Sequence, residues 1–222
     1  MITLAALCAP AFGQTTAIDW NDKGNALVDQ GKYDEAIKAY DRAIEINPQL
    51  AEPWFNKGVA LYLQGKYDEA IQAYDRVIEI DPHLAEPWSG KGSVLMDQGK
   101  YSEAIQAFDK VIEINPQLAE PWSGKGNVLM DQGKYDEAIK AVDKAIEINS
   151  QYAEAWFNKG LALYHQGKYS EAIQAYDRAI EINPQLAEAW YNKGNALKLL
   201  GRTTEADAAF AKAGELGDNG VE

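Results

Sequence analysis

Apolar positions along this chain recur with a period of 34 residues. Tryptophan stands at 20, 54, 88, 122, 156 and 190, glycine four residues after each, and leucine three residues after that glycine. Within a period, Trp54, Gly58 and Leu61 fall at i, i+4 and i+7, which is one face of a helix. Ala70, Ile71, Tyr74, Val77 and Ile78 form a second stripe of the same kind. Gly65 lies between the two, where a glycine closes a helix end, and Asp81-Pro82 ends the second stripe. The pattern predicts six helix–turn–helix units over 17–50, 51–84, 85–118, 119–152, 153–186 and 187–216, with 1–16 and 217–222 outside the repeats.

Residue sizes specify how each pair packs. Gly58 and Ala70 let two helices approach closely, and Trp54 and Tyr74 fill the core beside them. Asp68, Ser102, Asp136, Ser170 and Thr204 are expected as N-caps of the second helices. In the sixth copy Asp207 and Gly214 replace isoleucines, so the outer face of the sixth pair is expected to be polar, as an array cap requires.

With 46% apolar and 10% aromatic residues among 222, the chain can bury a core. Its net charge of −13 repels phosphate backbones, which excludes nucleic acid as a partner class. No run is long and apolar enough to span a membrane. Residues 1–13 are apolar and end in Ala11-Phe12-Gly13, a small-x-small pattern. The expectation is a shortened export leader with the mature chain beginning near Gln14, placing the protein in the periplasm or outside the cell. An ordinary N-terminus in a cytoplasmic protein is the alternative. Cys8 has no partner cysteine, so no disulfide framework exists. His83 and His165 have no metal spacing, and Ser89-Gly90-Lys91-Gly92-Ser93 lacks the order of a phosphate loop. No isolated acid–base pair stands out, so neither catalytic residues, a cofactor nor a metal is expected.

Trp54, Gly58, Leu61, Ala70, Tyr74, Val77 and Pro82 together resemble the signature of the tetratricopeptide repeat (TPR) family, over residues 17–216. Departures are a lysine before each first glycine (Lys23, Lys57, Lys91, Lys125, Lys159 and Lys193), Ser150 in place of proline, and Val142 in place of the aromatic. The lysine stems are expected to cover core while the ammonium groups reach water. The resemblance implies an all-α, right-handed TPR superhelix whose first helices line a concave groove that holds extended peptides. On that face stand Phe55 and Tyr62, Phe157 and Tyr164, and beyond them Tyr191, with small residues and Met96 and Met130 at the centre. Asn25 with Asn56 and Asn127 with Asn158 match the places where peptide-binding members grip a ligand backbone, and Asn192 and Asn195 continue the row. The cations that clamp acidic chaperone tails are absent, so such tails are disfavoured. The implied function is a protein-interaction scaffold binding a neutral or basic peptide, or a helix; self-assembly as an envelope element is the alternative.

Overall fold

In each 34-residue period the two helices are joined by a turn on a Gly-Lys pair, or Gly201-Arg202 in the sixth copy. Gly65 takes φ +73°, a left-handed conformation that side chains resist, and its counterparts at 31, 99, 133, 167 and 201 do the same. The turn is closed by the backbone: Gly65 N–H donates to the Tyr62 carbonyl at 2.8 Å and Lys66 N–H to that of Leu61 at 2.9 Å. The second helix starts at once, with Lys66 as its N-cap and no side-chain capping bond. The residues expected as caps therefore lie two positions inside the helix, as Asp68 does relative to Lys66. Asp34 lies inside the first turn of its helix, favoured by the helix dipole, and reaches sideways to accept from Gln64 Nε2 of the next copy at 3.0 Å. Asp136 accepts from Gln166 in the same way at 2.8 Å. That bond and the neighbouring Lys66 hold the Asp34 carboxyl below its ordinary value.

The computed structural model describes residues 16–218, which form twelve α-helices and, among those residues, no strand. They are α1 (Ala17–Val28), α2 (Tyr33–Ile46), α3 (Ala51–Leu63), α4 (Tyr67–Ile80), α5 (Ala85–Asp97), α6 (Tyr101–Ile114), α7 (Glu120–Asp131), α8 (Tyr135–Ile148), α9 (Ala153–His165), α10 (Tyr169–Ile182), α11 (Ala187–Leu199) and α12 (Thr203–Asp218). The expected leader with Cys8, and most of the polar tail, lie outside the described residues. The helices pack in successive pairs, six in all, and the chain divides into two compact units, Met1–Pro82 and His83–Glu222.

In the first unit, α1 packs on α2, α3 packs on both α2 and α4, and the core is Ala36, Ala39, Tyr40, Ala43, Ala60, Leu61, Ala70, Ala73, Tyr74 and Val77. The glycine of each first helix makes that closeness possible. A Cβ on Gly24 would lie 2.3 Å from Tyr40 Cε1, so the ring occupies the space a side chain would need. The second unit repeats the scheme: Gly160 lies under Tyr176 and Gly126 under Val142, and α7, α9 and α11 each rest on the second helix of the copy before.

The tryptophans are half-buried and not deep in the core. Indole Nε1 of Trp54 donates to the Pro48 carbonyl at 3.1 Å, and Trp156 and Trp190 donate to Ser150 and Pro184 at 3.1 and 3.2 Å. These three rings fasten the inter-repeat turn to the helix that follows it, whereas Trp88 Nε1 is buried without a partner. In four copies the lysine three residues after the tryptophan does not reach open water, whereas Lys23 of the first copy is exposed. Lys57 Nζ meets Asp41 Oδ1, a residue of the preceding copy, and Lys125–Asp109, Lys159–Asp143 and Lys193–Asp177 repeat the pair at 2.5–2.8 Å. These lysine side chains are only 21–26% exposed, and each Nζ also lies 5.3–5.9 Å from its tryptophan ring centroid.

Candidate functional site

The first helices of the second unit, α5, α7, α9 and α11, touch one another in order and share one face. Their pairing with the second helices decides what that face shows. Lys125 of α7, Lys159 of α9 and Lys193 of α11 are drawn back onto the aspartates of the copy before, and the first two are the only lysines in their helices. What remains is a row of exposed glutamates, Glu86, Glu120, Glu154 and Glu188, the carboxylates Asp97 and Asp131 at the helix ends, and one exposed lysine, Lys198, in the last turn of α11. Burial, with Asp97 nearby as a second cause, raises the Asp131 carboxyl above its ordinary value.

Between these carboxylates lie the small residues. Ser123 is buried and accepts from Asn158 Nδ2 at 3.0 Å, so Asn158 is also buried and its amide is engaged across the α7–α9 contact. Asn127 is half-buried and its Oδ1 has no hydrogen-bond partner in the protein. Met96 and Met130 are half-buried, Met130 against the cluster of Leu129, Ala138, Ala141 and Ala162. Phe157 leans on Tyr176 at 5.9 Å between ring centroids, Tyr164 sits between Tyr169 (5.4 Å) and His165 (5.7 Å), and Tyr191 rests on Phe210 (5.5 Å). Asn192 Nδ2 donates to the Glu188 carbonyl of its own helix at 2.8 Å, and Asn195 is half-buried one turn on.

In the first unit, α1 and α3 bring Asn25 and Asn56 together. Asn56 Nδ2 donates to Asn25 Oδ1 and to Asn21 Oδ1, both at 3.0 Å, while Tyr40 Oη–H donates to Asn25 Oδ1 at 2.8 Å. Asn21 Nδ2 continues the chain to Glu52 at 2.9 Å. Burial, with Asp29 and Glu52 nearby, pushes the Tyr40 phenol up to about 12. Phe55 lies on Tyr74 at 5.7 Å and Tyr62 on Tyr67 at 5.9 Å, so both rings are partly packed and partly open.

One residue of this neighbourhood escaped the pattern reading. Tyr152 stands where the other copies carry leucine, just after Ser150 replaces proline. Its hydroxyl donates to Glu154 at 3.1 Å, and burial raises its phenol well above the ordinary value, with Glu154 and Glu120 adding to the effect. The double departure from the repeat was the available signal. Among the described residues no group of three His, Cys, Asp or Glu side chains is placed to hold a metal ion, and no helix is long and apolar enough to cross a membrane.

Comparison with known proteins gives this arrangement its context. Solved structures similar to the chain include the crystal structure of MamA, 31% identical with a TM-score of 0.63, covering 73% of this chain and 95% of that one. The crystal structure of YrrB, described as a TPR protein with an unusual peptide-binding site, is 27% identical with a TM-score of 0.59, covering 81% and 93%. PilF of Pseudomonas aeruginosa shares the fold at 19% identity and a TM-score of 0.74, over 87% and 88% of the two chains. Among curated proteins no sequence match is found. Family models described as "Tetratricopeptide repeat" match residues 21–85, 124–187 and 175–208, and one described as "TPR repeat" matches 92–133. These matches, on twelve helices packed as successive pairs, support a protein-interaction scaffold, and the chain belongs to the tetratricopeptide repeat family.

Proposed function

We propose that the first-helix face binds a neutral or basic polypeptide segment, and that the protein works as an adaptor through it. The observation that carries this reading is the withdrawal of Lys125 and Lys159 onto Asp109 and Asp143, which leaves carboxylates as the charged groups of α7 and α9 on that face. A cationic segment would relieve the repulsion between Asp97 and Asp131, whereas an acidic tail would add to it. Met96 and Met130 supply an adaptable apolar floor, and the exposed edges of Phe157, Tyr164 and Tyr191 supply anchors. Within the second unit the unpartnered Asn127 Oδ1 is the atom that would meet a ligand backbone; the first unit offers Asn56 Oδ1 and Asn25 Nδ2 separately. YrrB, a TPR protein described as having a peptide-binding site, supports the class of ligand by analogy.

The test is calorimetric titration with three unstructured peptides of equal length: basic, neutral, and one with an acidic C-terminus. Binding of the basic or neutral peptide that falls about tenfold in Asn127→Ala/Asn158→Ala, with the urea midpoint checked in parallel, supports the reading. Preference for the acidic peptide, or indifference to the double substitution, refutes it.

A further inference from the structure

Within each unit, a first helix covers the second helix of the copy before it, and the covering residues are small. Ala155 packs with Val142 and Ala145, and Ala189 with Ala179 and Ile180. Seven residues further along the covering helix, Ala162 packs with Ala138, and Ala196 with Ala172 and Tyr176. The helix α12 is a second helix of the same kind, but no described helix covers it. Phe210, Ala213 and Gly214 of α12, with Ala187, Glu188, Tyr191 and Asn192 of α11, line a hollow of about 490 Å³. Tyr191, leaning on Phe210, is 55% exposed there, whereas the equivalent Phe157 is half-buried. Asp207, where a polar outer face is expected, is exposed, and the recess at Gly214 is lined mostly by apolar residues.

We propose that this recess docks an amphipathic helix of a partner protein, continuing the interface that α7, α9 and α11 make within the unit. The internal copies specify its chemistry. Where Ala189 sits over Ile180, the recess has Gly214, whose side-chain space is open with nothing within 4 Å. The partner therefore presents a large apolar residue at that place and alanine seven residues later. It needs no lysine, because the aspartate that holds the internal lysines is replaced by Ala211. A second copy's α1 does not meet the specification. It carries Asp19 and Asp22 in the places of Pro53 and Asn56, and would bring two carboxylates against Phe210 and Ala213 without a counter-charge.

The test uses two labelled peptides of residues 184–201 from this chain, one unsubstituted and one with Ala189→Leu, titrated by fluorescence anisotropy against the full chain. The substituted peptide binds about fivefold tighter, reflecting the added buried methyl groups. In a Gly214→Ile chain, which restores the internal pairing, the preference reverses, and Asn127→Ala leaves both affinities unchanged. Absence of saturable binding by either peptide, the same preference in Gly214→Ile, or loss of binding in Asn127→Ala overturns the proposal. So does a wild-type chain that dimerises in sedimentation while Gly214→Glu stays monomeric, because a second copy would then fill the recess.

Discussion

Tyr40, Asn25 and Asn56 in the first unit occupy the same register as Val142, Asn127 and Asn158 in the second, three periods later. In the first unit the phenol closes a connected network, Tyr40 to Asn25 to Asn56 to Asn21 to Glu52 (the last bond donated by Asn21). In the second the ring is missing, Asn158 turns to Ser123, and the Asn127 carbonyl is buried without a protein partner. The backbone scheme is unchanged, since Gly126 still lies against Val142 as Gly24 lies against Tyr40. Helix pairing therefore depends on the glycine and alanine positions, and the polar network is an independent layer that two changes, Val142 for Tyr40 and Ser123 for Asn21, remodel. A buried carbonyl left over in this way costs stability and offers an acceptor to a visitor.

Breaking the shared part should have the largest effect. Gly24→Ala places a methyl 2.3 Å from a ring that is 1% exposed and cannot yield, and is expected to cost about 3 kcal/mol in urea unfolding. Gly126→Ala meets one valine methyl at 2.5 Å in place of three ring atoms, and should cost about half as much. Equal costs would mean that the ring plays no part in setting the helix separation.

Transplanting the network should have an intermediate effect. Val142→Tyr is expected to raise stability by about 1 kcal/mol, its hydroxyl supplying the donor that Asn127 lacks. A lowered thermal midpoint would show that the second unit has closed around the valine. Removing the phenol tests the same layer from the other side. Tyr40→Phe should cost about 1 kcal/mol, because Asn25 loses a buried donor, whereas Tyr176→Phe should cost nothing, since the Tyr176 hydroxyl is buried without a partner.

The smallest effect belongs to charge. Burial and Asp97 raise the Asp131 carboxyl in the folded chain, so folding is favoured when that group is protonated, and the advantage disappears as pH rises through the folded value. Asp131→Asn should therefore stabilise the chain at pH 7 by no more than a few tenths of a kcal/mol after solvent screening, and have no effect near pH 3. A larger gain at pH 3 than at pH 7 would reverse the sign of the argument.

All of the helical architecture is legible in the period, because Trp, Gly, Leu and Ala positions report local packing that recurs in every copy. The caps are not, because Asp34 and Asp68 look the same in sequence whether they precede a helix or lie in its first turn. The Gly-Lys turn settles the matter through backbone bonds that carry no side-chain signature. The candidate site is legible as a face but not as a network. Asn56 finds Asn21 and Asn25 at separations of 35 and 31 residues, and Asn158 finds Ser123 at 35, choices made by neighbouring copies and not by the helix itself. The end recess was hidden for a related reason: glycine in place of isoleucine reads as lost hydrophobicity, although the space it leaves is itself apolar.

The pairing of Lys57 with Asp41, and of Lys125 with Asp109, always joins a residue to one sixteen places upstream. Any internal gene segment of one period that is duplicated or lost carries one donor and one acceptor with it. Slippage during replication could thus lengthen or shorten the protein without stranding a charge at the new junction, so that length is open to natural variation while the junction chemistry is inherited whole.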